Sequence, residues 1–343
     1  MRTAAIVVHG PKQMEVEQVD IPDPAPDEVL LRIAFGGICG SDLHYFANGR
    51  NGAFVVEEPL TLGHEVSGVI EAIGSDAETR LTVGTQVTVH PARPTPPPGG
   101  TEGRGLNIVP GVRYLGSAAS HPHTQGGLSQ YLVVKPEQLR ALPDHLSLKV
   151  AALAEPMSIA LHGISKAVNV GLPNARILVS GSGPIGLLAL VALRARGANH
   201  VTSADVIEFP LKLAKDLGAE KTIQVGVTTV EPASYDLVIE AAGVPQSLAA
   251  ALDAVKPGGT IVQLGILPSG DVPLPIVQLQ SKEITLVGSQ RFDVELEEAL
   301  VILAEHPALE QIITDVFDLD HVHDAFAVAA DPSRSSKVMI SLL

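Results

Sequence analysis

The sequence is poor in cysteine, in basic residues and in long apolar runs. Cys39 is the single cysteine. It excludes any disulfide within the chain, and any zinc site in one chain that needs two or more thiolates. Lys and Arg number 23 against 38 Asp and Glu, a formal net charge of −15. No Lys/Arg cluster appears, so no nucleic-acid partner is expected. The acidic balance speaks for solubility and little more. The longest apolar stretch, Ile185–Leu193, stops at Arg194 and is too short to span a bilayer. The N-terminal MRTAAIVVHG has only five apolar residues in a row, Ala4–Val8. That is no signal-peptide core, so no membrane partner and a cytoplasmic protein are expected.

What is present is enough chain, 343 residues with 45% hydrophobic, for about two domains and a large core. The 32 glycines and 26 prolines imply many tight turns and short strands. Residues 1–147 read as β-rich: Thr3–Val8, Glu28–Phe35, Val66–Ile73 and Thr85–Val89 are short β-branched runs bounded by turn residues. Pro91–Gly111, with six prolines and five glycines in 21 residues, reads as an exposed lobe or loop. From Ala151 strand-like and helix-like patterns alternate: Arg176–Ser180, Pro184–Arg196, His200–Asp205, Glu208–Leu217, Leu237–Glu240, Ser247–Val255, Thr260–Gly265 and Ile284–Gly288. That alternation predicts a doubly wound parallel sheet, so the class is α/β. The expected division is 1–147, 148–288 and a return segment, 289–343, with a helix at Val294–Glu305 and a last strand at Lys337–Leu342.

Arg176-Ile-Leu-Val-Ser-Gly181-Ser-Gly183-Pro184-Ile185-Gly186 fits G-x-G-x-x-G. Alone the motif is weak, but here it follows a strand and opens a helix. Gly181 permits the turn, Gly183 lets the backbone approach a pyrophosphate, and Gly186 lets helix and sheet pack closely. The pyrophosphate would rest on the helix N-terminus, where Pro184 and Ile185 open the first turn. Asp205 ends the second strand, 19 residues after Gly186. A carboxylate there accepts from ribose hydroxyls and repels a 2′-phosphate, and no Lys or Arg follows before Lys212. NAD is therefore favoured over NADP.

Gly36-Gly-Ile-Cys39-Gly-Ser41-Asp42-Leu-His44-Tyr45 is followed by Leu62-Gly-His64-Glu65 and later by Ala154-Glu155-Pro156. Cys, His and Glu all bind zinc. Each alone has a plainer reading, since a lone Cys is most often a buried small hydrophobe. Twenty-five residues between Cys39 and His64 make no short-loop metal signature.

These stretches in order, GGICGSDLHY, LGHE, AEP and GSGPIG with its later Asp, resemble the zinc-dependent medium-chain dehydrogenase/reductase family over essentially the whole length. Within it the chain is similar to the polyol and sugar-acid branch, the sorbitol dehydrogenases and, closer still, the L-idonate 5-dehydrogenases. RYLGSAASHPHTQGGLSQY and GSQRF carry that likeness. The resemblance implies a GroES-like β-rich catalytic domain beside a Rossmann domain, with NAD and one catalytic zinc. It implies zinc ligands Cys39, His64 and Glu155, with Glu65 as an exchangeable or outer ligand, the order of the two glutamates staying open. Ser41 matches the position that hydrogen-bonds the substrate oxygen, and His44 the outer proton relay. Tyr45 matches a contact to substrate or metal-bound water, and Asp42 an orienter of the zinc histidine. On the coenzyme side it implies Ala242, Leu264, Gly265 and Arg291, the last also near a substrate carboxylate. Arg50 and His123 are weaker candidates for the pocket rim, and ordinary surface exposure is the plainer reading of either. Relatives pair through the sheet edge near Ile276–Gly288, so a homodimer or homotetramer is expected.

One departure stands out. Many relatives hold a second, structural zinc with four cysteines. The corresponding positions here are Thr95, Pro98, Thr101 and Val109, none of which binds zinc, so that site is expected to be absent. The expected substrate is a sugar acid or polyol, L-idonate first. L-threonine and butanediol remain alternatives. A non-catalytic NAD-binding protein would have no need of Cys39, His64, Glu155 and Ser41 together.

Overall fold

Thr3–Val8 are buried without a break inside the first strand, Arg2–Gly10, because neighbours cover both its faces. Gln13–Asp20 pairs with it antiparallel, and Leu60–Thr61 joins from the other side. The computed structural model describes residues 1–93 and 105–343. Thr95, Pro98 and Thr101, and most of the proline-rich segment, lie outside the described residues, while Val109 closes a short turn, Leu106–Ile108.

The chain divides into two compact units. The first comprises Met1–Glu155, Leu296–Asp331 and Lys337–Leu343; the second comprises Pro156–Glu295 and Pro332–Ser336. The first is built on a seven-stranded sheet in the order Leu139–Ala141, Gln86–Val89, Glu65–Ile73, Val29–Gly37, Lys337–Ser341 and Ile313–Phe317, with Tyr131–Val134 also pairing Val29–Gly37. Its core packs Ile6, Leu31, Ile33, Leu62, Ile70 and Leu128 with Phe326 from the helix Val322–Ala329. The register matters for the site. Gly37 lies opposite Glu65 on one side and Met339 on the other. The two ends of the chain therefore meet beside the Gly36–Cys39 turn.

The second unit is a six-stranded parallel sheet, in the order Lys221–Gln224, His200–Asp205, Arg176–Ser180, Tyr235–Glu240, Val255–Gln263 and Thr285–Gly288. Order reverses between Arg176–Ser180 and Tyr235–Glu240, the crevice where such sheets bind ligands. The helix Pro184–Ala195 is buried continuously from Gly186 to Leu193, which explains why its apolar residues show no one-sided pattern. The doubly wound α/β sheet expected from the sequence is the one present. No helix among the described residues is long and apolar enough to cross a membrane.

Several strands escaped the sequence reading, among them Leu60–Thr61, Tyr131–Val134, Leu139–Ala141, Gln13–Asp20 and Lys221–Gln224. Gln13–Asp20 buries only Met14 fully, and its charged residues mask the pattern. Lys221–Gln224 is a short edge strand with Ile223 as its one buried residue.

Candidate active site

The coenzyme cradle is built from the ends of three strands of the second unit. Gly181 takes φ +96°, and a Cβ there would lie 2.6 Å from the Ala242 amide nitrogen. A Cβ at Gly186 would press on the Gly181 carbonyl, 2.9 Å from its carbon. At Gly183, the helix N-cap, a Cβ would meet nothing within 4 Å. The bare backbone there leaves the space a pyrophosphate needs, so the fit to a dinucleotide is good. Pro184 holds the first helical position, where its missing N–H costs nothing. Asp205 accepts from the amides of Ser182 at 2.7 Å and Ile207 at 2.9 Å. Its carboxylate is therefore fixed at the strand end beside the glycine turn.

Glu240 was not anticipated. It is fully buried. Its carboxylate accepts from the amides of Ala242 at 2.9 Å and Gly243 at 3.1 Å, and from the Gln263 side chain. Its own carbonyl accepts from Leu264 and Gly265 at 2.8 and 2.9 Å. One residue thus ties together both turns that the sequence assigned to the nicotinamide side. A Cβ at Gly265 would lie 2.6 Å from the Gly243 Cα, so these turns need glycine for close approach. Arg291 holds φ +50°, a left-handed conformation that few arginines adopt.

The second cluster lies in the first unit, at the start of the helix Gly40–Asn48. Cys39 is its N-cap. Asp42, at the third helical position, accepts from the Cys39 amide at 2.9 Å and from the Gly63 amide at 3.2 Å. The sequence reading gave Asp42 the role of orienting the His64 ring. The structure corrects the route: Asp42 grips the backbone on both sides, and the buried Nδ1 of His64 has no partner. Ligand atoms of Cys39, His64 and Glu65 all lie within 4.8 Å of one another. Glu65 is fully buried, and Glu155 nearly so. A Cβ at Gly37 would fall on the Glu65 carboxylate, 3.2 Å from its Cδ, which is why the GG pair precedes Cys39.

Two further residues complete the cluster, and neither was expected from the sequence. Lys337 is buried and places its ammonium 2.7 Å from each oxygen of Glu65 and 3.1 Å from the Ile38 carbonyl. Tyr114 donates to Glu155 Oε1 at 2.6 Å and sets its ring edge-on to His64, 5.7 Å between centroids. The one available signal for Lys337 was a lysine flush against the apolar run Val338–Ile340.

Electrostatics favour a cation here. Burial disfavours a charged His64, yet the Cys39 side chain, Glu155 and Asp42 outweigh it and lift its pKa to about 10. Burial raises the pKa of Glu155 and of Asp42. Burial would lower Lys337, but Glu65 and then Cys39 outweigh it and hold it above the usual lysine value. A buried set of sulfur, imidazole and carboxylate donors with surplus negative charge and an unpartnered ring nitrogen suits zinc.

Of the remaining expected residues, Ser41 is half-buried and His44 exposed, three residues apart on the same helix, hence on one face. Tyr45 is packed in the core, and its hydroxyl accepts from the Ala118 amide at 3.1 Å. His123 is likewise buried and spent: its Nε2 accepts from the Glu57 amide and its Nδ1 donates to the Ser120 carbonyl. Arg50 is exposed and donates to the Gly52 carbonyl.

A dinucleotide cradle and a buried S/N/O donor set define a zinc- and NAD-dependent alcohol dehydrogenase. The comparisons agree. Residues 25–144 match the alcohol dehydrogenase GroES-like domain, and residues 148–341 match the glucose dehydrogenase C-terminus. Sorbitol dehydrogenase of Bacillus subtilis is 32% identical over 98% of this chain and 96% of its own length. L-idonate 5-dehydrogenase (NAD(P)(+)) of Escherichia coli K12 is 32% identical over 99% of both. The crystal structure of L-idonate 5-dehydrogenase from Escherichia coli superposes with a TM-score of 0.92 at 31% identity, covering 99% of this chain and 98% of that one. The chain belongs to the zinc-dependent medium-chain dehydrogenase/reductase family, in its sorbitol dehydrogenase-like branch. Its cofactors are zinc and NAD.

Proposed function

We propose that this chain oxidises a secondary hydroxyl of a sugar acid or polyol to a ketone, with L-idonate as the substrate and NAD⁺ as the hydride acceptor. The balance is one alcohol and one NAD⁺ giving one ketone, one NADH and one proton. The buried cluster of Cys39, His64 and Glu65, with Glu155 joined to it through Tyr114, which touches both Glu155 and His64, is the observation that carries the reading. Cys39, His64 and a glutamate would hold zinc, and Glu155 is the glutamate we favour, because Lys337 already balances the charge of Glu65. Zinc bound there supplies a Lewis acid that lowers the pKa of a hydroxyl beside it.

The chain's own residues do the rest. Ser41 accepts the hydroxyl proton and passes it outward, and exposed His44 releases it to solvent. Gly183 leaves room for the pyrophosphate, Gly181 and Gly186 let the turn and helix pack closely enough to present it, and Asp205 takes the adenosine ribose. Ala242, Leu264 and Gly265 border the nicotinamide. Arg291 offers a bidentate fork to the carboxylate of a sugar acid. The likeness to the L-idonate and sorbitol enzymes supports the substrate class.

We also propose a homodimer or homotetramer in the cytoplasm. Among the described residues Thr285–Gly288 is a sheet edge with no outer partner, preceded by exposed Ile276 and Val277. Such an edge invites a second strand.

The test is NADH formation by the zinc-loaded enzyme with L-idonate, D-sorbitol, xylitol, L-threonine and 2,3-butanediol in parallel. A clear preference for L-idonate is expected, with Arg291→Ala raising KM for it selectively. Turnover of only an uncharged polyol or of threonine would refute the sugar-acid assignment. Light scattering on the same sample settles the assembly; a monomer refutes the edge pairing.

A further inference from the structure

The two carboxylates at the metal cluster are held unequally. Glu65 faces a buried ammonium. Lys337 has three N–H donors, and the Glu65 oxygens take two at 2.7 Å each while the Ile38 carbonyl takes the third at 3.1 Å. The Glu65 charge is therefore balanced, and each of its oxygens gives one lone pair to that ammonium. A metal drawing on Glu65 would compete with Lys337 for its charge.

Glu155 faces a neutral donor. The Tyr114 hydroxyl takes one lone pair of Oε1 at 2.6 Å and brings no charge of its own, so it fixes the carboxylate without pairing it as an ammonium would. Tyr114 is itself well fixed. It is buried, its strand Arg113–Tyr114 pairs with Ala92–Arg93, and its ring meets His64 edge-on. One side chain thus touches two of the residues assigned to the metal.

We propose that Tyr114 is a positioning residue that holds Glu155, rather than Glu65, as the carboxylate available to the metal. It fixes the Glu155 rotamer without neutralising the charge, while Lys337 withholds Glu65. This rests on the reading of Glu155 as a zinc ligand. The phenol does not touch substrate; it acts through Glu155. Partners of metal ligands of this kind are typically worth about 10–100-fold in metal affinity.

The test compares Tyr114→Phe, Glu155→Gln and the double variant as zinc and cobalt(II) holoenzymes. Zinc release to a chelator and the cobalt d–d spectrum are the readouts. Tyr114→Phe is expected to speed zinc release by about tenfold and to shift the cobalt bands. In the Glu155→Gln background it is expected to change neither. A purely structural tyrosine would lower the melting temperature but leave the spectrum of the folded cobalt enzyme as it was. An unshifted spectrum with unchanged release in Tyr114→Phe, where Glu155→Gln alters both, overturns the role of Tyr114 and leaves the ligand standing. An effect of equal size in both backgrounds overturns it too. A Glu155→Gln enzyme with wild-type release and spectrum refutes the ligand assignment and the proposal together.

Discussion

Alanine at Gly183 and alanine at Gly186 should fail in opposite ways. Gly186 lies in the first turn of the helix Pro184–Ala195. By intrinsic propensity, replacing a helical glycine with alanine stabilises by about 1 kcal/mol. Here the new Cβ would sit 2.9 Å from the Gly181 carbonyl carbon, where carbon atoms prefer about 3.5–4.0 Å. The carbonyl oxygen lies closer still, so the helix must retreat by more than about 1 Å. Overpacking of this kind costs about 1–3 kcal/mol, so the clash wins and the variant loses stability. The retreat also drags the Gly181–Gly183 turn, so NADH binding weakens as well. At Gly183 the backbone angles, φ −64° and ψ −177°, suit alanine, and the Cβ meets nothing within 4 Å. The only structural cost is a poorer N-cap, about 1 kcal/mol at most. The coenzyme, however, would meet that methyl where its pyrophosphate approaches. A loss of at least about 1.4 kcal/mol corresponds to tenfold in Kd. Thermal melts and NADH fluorescence titrations read both variants. Gly183→Ala should melt near wild type and bind NADH at least tenfold more weakly. Gly186→Ala should melt lower. Wild-type NADH affinity in Gly183→Ala would refute the cradle, and a raised melting temperature in Gly186→Ala would show that the clash relaxes freely.

Acid should discriminate Glu295. It is buried, paired with His162 at 2.7 Å, and accepts from the Asp293 and Val294 amides at 3.0 Å. Burial alone would raise its pKa, but the His162 hydrogen bond and the Asp293 amide prevail and hold it at about 2, against 4.5 ordinarily. A lowered folded-state pKa gives stability that is present above the ordinary value and fades as pH falls toward 2. That contribution is about 3 kcal/mol. The stability gap between wild type and Glu295→Gln, from urea melts, should therefore be largest at pH 7 and shrink by pH 3; a constant gap would refute the linkage. Lys337→Met should destabilise the protein by about 3–5 kcal/mol, since it strands a buried carboxylate at Glu65. Lys337→Met with Glu65→Gln should recover most of that loss in the same melts. No recovery would mean that lysine packing, not charge, is what matters.

How much of this was legible depends on how local the physics is. The glycine turn, its helix and Asp205 form one strand–helix–strand unit of 30 residues, from Arg176 to Asp205. Every constraint on it is short-range, so the pattern displays it. Cys39, Ser41, Asp42 and His44 are also local, being one helix start. The partners of the buried acids are not. Lys337 reaches Glu65 across 272 residues, and Tyr114 reaches Glu155 across 41. A sequence shows which groups will need a partner once buried, but the sheet register decides which partner arrives. Here Gly37 stands between Glu65 and Met339 in that register, and so a lysine near the C-terminus is delivered to a glutamate near residue 65. His123 shows the converse. A polar side chain beside a motif looks available on paper, yet both ring nitrogens of His123 found backbone partners, Glu57 and Ser120. A polar group that the fold has already satisfied has little left to offer a ligand, so the candidates worth testing are those the fold leaves unsatisfied. His64, with its orphaned Nδ1 amid surplus negative charge, is the clearest of them.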